Sequence, residues 1–395
     1  MKICMIAIDF DNPISDKIGG ACEKLIYHIV KELSKTHEIH LIVRRKTLDL
    51  QVDELKSSVY FHGFESRSRF APNLLKYVHF FSYLYKLNVK YDFDAFHSFS
   101  FLLSAIILLV CKLCRKPLVV SELSHERWIH KRKSFSSNAS FWINIAPTIW
   151  FATVTVVPSK FIRERIIQSV KCSPKKVKII PYGVQRPTDL PSRNCFRKRY
   201  GIPTHIPILT FVGRSVPHKG VHNIIEALHI LKKDFPEIRL VIAGPQSGDF
   251  TSCTTTTNPY HKYLLLLTNN LGLSNDVIFA GFLDIETLNE LLVDTTIFVF
   301  PSTEEAFGLV LIEALSIGLP IITTNVPPMI EIVDNHSGRL VMPNSPSQIA
   351  EKVRELLSDP MLLKEISQYN VRKFHAEYEL SHMINKYKEL YESLC

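Results

Sequence analysis

Short apolar runs alternate with amphipathic segments along this chain, and the alternation occurs twice. In the first half, residues 2–8, 38–43, 93–96, 117–121, 153–157 and 176–180 read as strands, mostly apolar runs with several rich in β-branched residues. Residues 21–34 carry Leu25, Ile29, Val30 and Leu33 at helical spacing. Residues 99–111 read as a buried helix, and Ser159 caps another that runs to 170. Strands that alternate with helices predict parallel βαβ units, because a parallel neighbour needs a crossover long enough to hold a helix.

Breaker residues interrupt the pattern at Pro181-Tyr182-Gly183 and again between Pro187 and Pro191. It then restarts, with strands expected at 208–212, 239–243, 277–280, 297–300 and 320–323. Helices are expected at 221–233, 260–271, 307–317 and 347–357, the third of them closed by Gly318. The threonine-rich stretch 251–258 reads as a surface loop. A chain of 395 residues is too long for one ordinary core. The expected fold class is therefore α/β, with two Rossmann-like doubly wound parallel-sheet domains facing a cleft. Residues 1–186 and 187–375 are the two domains, and 376–395 are a C-terminal helix packing back on the first.

Eight scattered cysteines without framework spacing argue for a reducing compartment. The pair Cys111 and Cys114 lies in an apolar stretch with no second pair, so it reads as helix packing rather than a metal site. Residues 1–186 hold 29 Lys or Arg against 15 Asp or Glu, a balance of +14, and the remainder holds 18 against 23. A basic half suits an anionic substrate or an anionic membrane surface. No basic stripe interleaved with aromatics or zinc-finger spacing appears, which argues against nucleic acid. The chain opens on a strand-like run, not a secretory leader. Its longest apolar stretch, 99–111, falls short of the roughly 20 residues a spanning helix needs. The expected location is cytoplasmic, with peripheral contact at the inner face of the membrane. That contact is suggested by the cationic run from Arg127 to Lys133 and the aromatic pairs Phe141-Trp142 and Trp150-Phe151.

Chemistry concentrates in two segments of the second half. In the first, a strand runs into Gly213-Arg214, and Lys219-Gly220 stands directly before a helix. Free amides and the helix dipole favour anions there, and an Arg fork with a Lys point charge suits a diphosphate. The spacing is not that of a P-loop. In the second segment, Glu305 precedes a helix that carries Glu313. Eight helical steps span about 12 Å, comparable to the reach from a nucleotide's ribose to its sugar. The amides of Gly308, Leu309 and Val310 open that helix. Spacing alone does not choose between Glu304 and Glu305.

Two weaker features lie in the first half. Gly19-Gly20 form a strand-to-helix turn that permits close approach of a ligand. His125 and His97 each lie at the carboxyl end of a buried strand, where ligands of open α/β sheets gather, and His125 is favoured of the two.

The set Gly19-Gly20, Gly213-Arg214 with Lys219-Gly220, and Glu305 with Phe307-Gly308 and Glu313-Ala314 resembles the retaining GT-B glycosyltransferases. The family meant is the large nucleotide-sugar-dependent one of the group 1, family 4 type. Val157-Pro158-Ser159, Ala243-Gly244-Pro245 and Gly281-Phe282 extend the likeness over nearly the whole chain. The resemblance implies a catalytic set of His125, Glu305, Arg214 and Lys219. It implies a donor-binding set of Gly19, Gly20, Gly213, Arg214, Lys219, Phe282, Glu305, Phe307, Gly308, Leu309, Val310 and Glu313. Arg214 and Lys219 would hold the diphosphate, Glu313 the ribose and Glu305 the donor sugar. His125 would reach the donor sugar or the acceptor. No metal and no cofactor are implied. The substrate is a nucleotide sugar, a UDP-sugar by family preference, and the acceptor a glycan, a lipid-linked species or a small molecule. Ala306 stands where the family commonly has glycine, and Gln185 where an acidic residue or Asn is usual. The competing expectations are a nucleotide-sugar epimerase of the same fold and a non-catalytic binder of anionic polymers.

Overall fold

In a computed structural model of the chain, the described residues are 1–8, 10, 14, 21–48, 55, 57–65, 73–99, 103–123, 141–245 and 258–394. They form two compact units. Unit 1 is Met1–Tyr182 with Leu380–Cys395, and unit 2 is Gly183–Glu379. Unit 1 thus takes its helix Leu380–Glu392 from the far end of the chain.

Unit 1 is built on seven parallel strands: β1 (Lys2–Ile6), β2 (Glu38–Arg44), β3 (Val59–Phe64), β4 (Ala95–Ser98), β5 (Leu118–Ser121), β6 (Val154–Val157) and β7 (Val177–Ile179). Their spatial order is β3-β2-β1-β4-β5-β6-β7. Unit 2 holds six: β8 (Ile208–Val212), β9 (Arg239–Ala243), β10 (Val277–Gly281), β11 (Ile297–Phe300), β12 (Ile321–Thr324) and β13 (Gly338–Val341). Their order is β10-β9-β8-β11-β12-β13, again with every pair parallel. In each sheet the first strand is central and the winding reverses beside it, between β1 and β4 and between β8 and β11. That is the doubly wound topology.

Burial follows the strand order. Every residue of β4, β5, β6, β11 and β12 is buried, as a parallel sheet covered on both faces requires. Of the four edge strands, β3, β7 and β10 each bury a single residue and β13 buries two. Ser159 does cap the helix Lys160–Val170, its Oγ accepting from the Ile162 amide at 3.2 Å. The helix expected at 99–111 begins later, at Ser104. Phe99 instead extends the sheet, its amide donating to Ile6 O at 3.0 Å, so one apolar run serves two elements. Cys111 and Cys114 lie on that helix as free thiols. Most of the threonine-rich stretch, residues 251–257, is outside the described residues.

His97 is a structural residue of unit 1. It is wholly buried on β4, with Nδ1 2.5 Å from Tyr391 Oη and Nε2 2.7 Å from Ser121 Oγ. Ser121 Oγ lies in turn 3.0 Å from Tyr387 Oη, so four polar groups satisfy one another beneath the C-terminal helix. Burial lowers the His97 pKa from 6.5 to about 3. The folded protein therefore resists a proton that the unfolded chain accepts below pH 6.5. The stability this contributes is complete above 6.5 and is lost as pH falls toward 3. Between pH 6.5 and 5 the loss is about 2 kcal/mol. All three tryptophans lie between residues 128 and 150, within unit 1, so urea titrations followed by their fluorescence read that unit. His97→Gln should remove its own share of this acid-side slope and leave that of His62, whose pKa burial and the neighbouring His40 lower to about 4; an unchanged slope would refute the assignment.

Candidate active site

In unit 2 the carboxyl ends of β8 and β11 are neighbours at the point where the winding reverses, so whatever follows each strand meets there. Gly213-Arg214 follow β8, and the chain turns through a single 3-10 turn, Pro217–Lys219, into the helix Val221–Leu231. Pro301 to Glu305 follow β11.

These two loops are stitched together by backbone. The carbonyl of His218 accepts the Thr303 amide at 2.8 Å and lies 3.1 Å from Ser302 Oγ. Gly220 has φ +70°, and a Cβ built on it would stand 2.3 Å from the carbonyl oxygen of Pro301. No other residue fits at that crossing without moving one loop. From below, the Thr324 hydroxyl donates to Ser302 O, and the Thr323 hydroxyl donates to Phe300 O at 2.7 Å.

Lys219 and Glu305 meet across this junction. The ammonium donates directly to Glu305 Oε1, and both side chains are about nine-tenths buried. Glu305 Oε2 also accepts the amide of Ala306 at 3.1 Å, and Lys219 Nζ stands 5.2 Å from the centre of the Phe300 ring. A buried pair of this kind carries a large desolvation cost, and stripping one partner leaves the other charged and unsolvated. Arg214 is half-buried on the same loop. Glu304 is half-buried one residue before Glu305.

Sequence reasoning overlooked His218. Its imidazole lies in the field of Lys219, Glu305, Arg214 and Glu304. Burial, reinforced by the Lys219 charge, lowers its pKa below 6.5 and keeps the ring neutral at pH 7. Its Nε2 is buried without a hydrogen-bond partner among the described residues. The only signal in the sequence was its place beside Lys219 in a glycine-bounded loop.

The expected helical span from Glu305 to Glu313 needs correction. The helix is Leu309–Ile317, begun by Gly308 at φ +96°. Glu305 lies before it in irregular backbone, so the separation of the two carboxylates is not eight helical steps. A left-handed residue was needed to turn the chain from the Glu305 loop into the helix, and Gly308 supplies it. The amides of Leu309 and Val310 lie in the first helical turn, where no intrahelical acceptor is available. Phe307 is buried, and Glu313 is half-buried on the helix. Phe282 is 67% exposed just beyond β10, two strands from β8. Gly19, Gly20 and His125 lie outside the described residues.

The chain matches the family model "Glycosyl transferases group 1" over residues 192–373 and "Glycosyltransferase Family 4" over residues 18–186. It is 26% identical over 376 residues to an uncharacterized glycosyltransferase of Methanocaldococcus jannaschii, covering 91% of this chain and 90% of that one. It is 31% identical over 210 residues to a D-inositol 3-phosphate glycosyltransferase of Streptomyces bingchenggensis, which is 51% of this chain and 45% of that protein. Among solved structures, Anabaena HepE in complex with UDP and glucose superposes with a TM-score of 0.77 at 17% identity, covering all of both chains.

Proposed function

This chain belongs to the group 1 glycosyltransferases and has their GT-B fold, and on that premise we propose that it is a retaining, UDP-sugar-dependent enzyme. It transfers a hexosyl or N-acetylhexosaminyl group to a hydroxyl of a glycan, a lipid-linked species or a small molecule. The observation that carries this reading is the buried Lys219–Glu305 pair held where β8 and β11 end. Such a pair supports the reading because a cation suits a diphosphate and a neighbouring carboxylate suits sugar hydroxyls. HepE, of similar fold, binds UDP and glucose.

In the proposed reaction the bond between the donor sugar's C1 and the β-phosphate oxygen breaks, and a bond from C1 to the acceptor oxygen forms on the same face. The proton of the acceptor hydroxyl passes to the departing phosphate oxygen. Arg214, Lys219 and the amides of Leu309 and Val310 stabilise the charge that gathers on the diphosphate, with no metal ion or cofactor required. Glu305 orients the donor sugar, Gly213 lets the β8 loop approach the phosphates, and Phe307 and Gly308 shape the turn above them. Glu313 holds the ribose, and Phe282 borders the base. The enzyme works in the cytoplasm.

A panel of nucleotide sugars read by thermal-shift fluorimetry identifies the donor, and transfer with that donor then tests the chemistry. Stabilisation by none of them would defeat the proposal. Isomerisation of the sugar without an acceptor would point to an epimerase instead. Glu313→Ala should weaken binding of the product nucleotide about tenfold or more while changing turnover at saturation little, since ribose contacts persist from ground to transition state. Calorimetry that finds nucleotide affinity unchanged would remove Glu313 from the ribose.

A further inference from the structure

We propose that unit 1 carries a docking surface for an anionic lipid bilayer, formed by the helix Ser104–Cys114 and the helical segment 141–151 packed against it. Six large apolar side chains stand out from these two elements. Leu109 and Leu113 are 49% and 60% exposed, one helical turn apart, and Trp142, Ile143, Trp150 and Phe151 are 50%, 68%, 38% and 55% exposed. A soluble face seldom keeps so many large apolar groups in water without a use for them.

Cations are set among them. Lys112 Nζ lies 4.7 Å from the centre of the Phe151 ring. Trp150 donates from Nε1 to Val170 O at 2.8 Å, which brings the exposed Lys171 beside the aromatic cluster. Lys176 donates to Trp150 O at 2.6 Å. Between residues 141 and 178 the chain has seven Lys or Arg against one acid, Glu164. Indole and phenyl rings flanked by lysines match the interface of an anionic membrane, where rings sit at headgroup depth and ammonium groups meet lipid phosphates. A second copy of the same face would oppose like charges, so symmetric self-association is disfavoured here. No helix among the described residues is long and apolar enough to cross a membrane, so these elements would lie on the bilayer. The cationic run from Arg127 to Lys133 lies outside the described residues, and the surface stands without it.

The test is co-sedimentation of the full chain with phosphatidylcholine vesicles and with vesicles containing about 30 mol% phosphatidylglycerol, a composition chosen to give a negative surface. The wild type should bind the anionic vesicles at least tenfold more tightly at low salt, and lose that margin as salt rises. Lys112→Gln with Lys171→Gln should weaken anionic binding about tenfold or more. Ile143→Ser with Phe151→Ser should weaken it at least as much. Melting curves check the fold of each pair, and the lysine pair, at exposed positions, keeps the proposal testable if the apolar pair misfolds. Equal binding to both vesicle types, binding to neither, or variants that bind like wild type would overturn it. So would a concentration-dependent dimer that Phe151→Ser dissociates, since the face would then belong to a second copy. Donor stabilisation in the thermal-shift panel needs no vesicles, so failure of the transfer reading and failure of this one are separate results.

Discussion

Lys219→Ala should lower transfer from the identified donor by about 10²–10³-fold, and Arg214→Ala by a similar factor. The two cations would meet the charge that develops on the departing diphosphate, and a preorganised site has no mobile water to replace them. The variants differ in what else they disturb. Lys219 shares its ammonium with the buried Glu305 carboxylate, so its removal also strands that carboxylate. Breaking a buried pair from one side costs about 3–5 kcal/mol, and Lys219→Ala should therefore melt at a visibly lower temperature. Arg214 is only half-buried, so water can reach what its removal exposes, and Arg214→Ala should lower the melting temperature less than Lys219→Ala does. Turnover near wild type in both variants would show that the diphosphate is held elsewhere.

Glu305→Gln should lower turnover about 100-fold while binding the product nucleotide at least as tightly as wild type. On the proposed reading the variant would lose contacts to the reacting sugar that strengthen in the transition state. The retained affinity follows from electrostatics. In the ligand-free protein Lys219 is already paired with a carboxylate, and a diphosphate must share that ammonium with it. Glutamine keeps the shape and the hydrogen bond to Ala306 or its equivalent but removes the competing charge. Calorimetry with the nucleoside diphosphate decides the matter, and a tenfold weaker complex would contradict the division of roles between Glu305 and Glu313.

How much of this was legible beforehand depended on where each segment's neighbours lie. Strands β8, β9 and β11 were read to the residue, because central strands of a parallel sheet are apolar on both sides, and these end abruptly at Gly213, Gly244 and Pro301. Strand β3, with His62 and Gly63 in an edge position, lacked that signature and passed unseen. The helix Asn73–Tyr91 was missed as well, its aromatic residues spread round the cylinder rather than along one stripe. At the site, the residue types and their order pointed to Lys219 and Glu305 as members of one set. Their direct contact depends on β8 and β11 being adjacent, which a sequence separation of 86 residues conceals. His97 shows the converse. Its position at a strand end suggested chemistry, and its true partners, Tyr391 and Ser121, include one 294 residues away.

The discontinuity of unit 1 sets an order on the birth of this protein. A ribosome releases residues 1–182 long before Tyr387 and Tyr391, which cover His97 and Ser121. Throughout that interval the nascent first unit has an open seam, with a buried imidazole and a serine hydroxyl awaiting their partners. The second unit, continuous from Gly183 to Glu379, emerges whole in between. Vectorial synthesis usually matures the leading domain first. Here the leading unit is completed last, and its closure waits for the trailing helix to leave the exit tunnel.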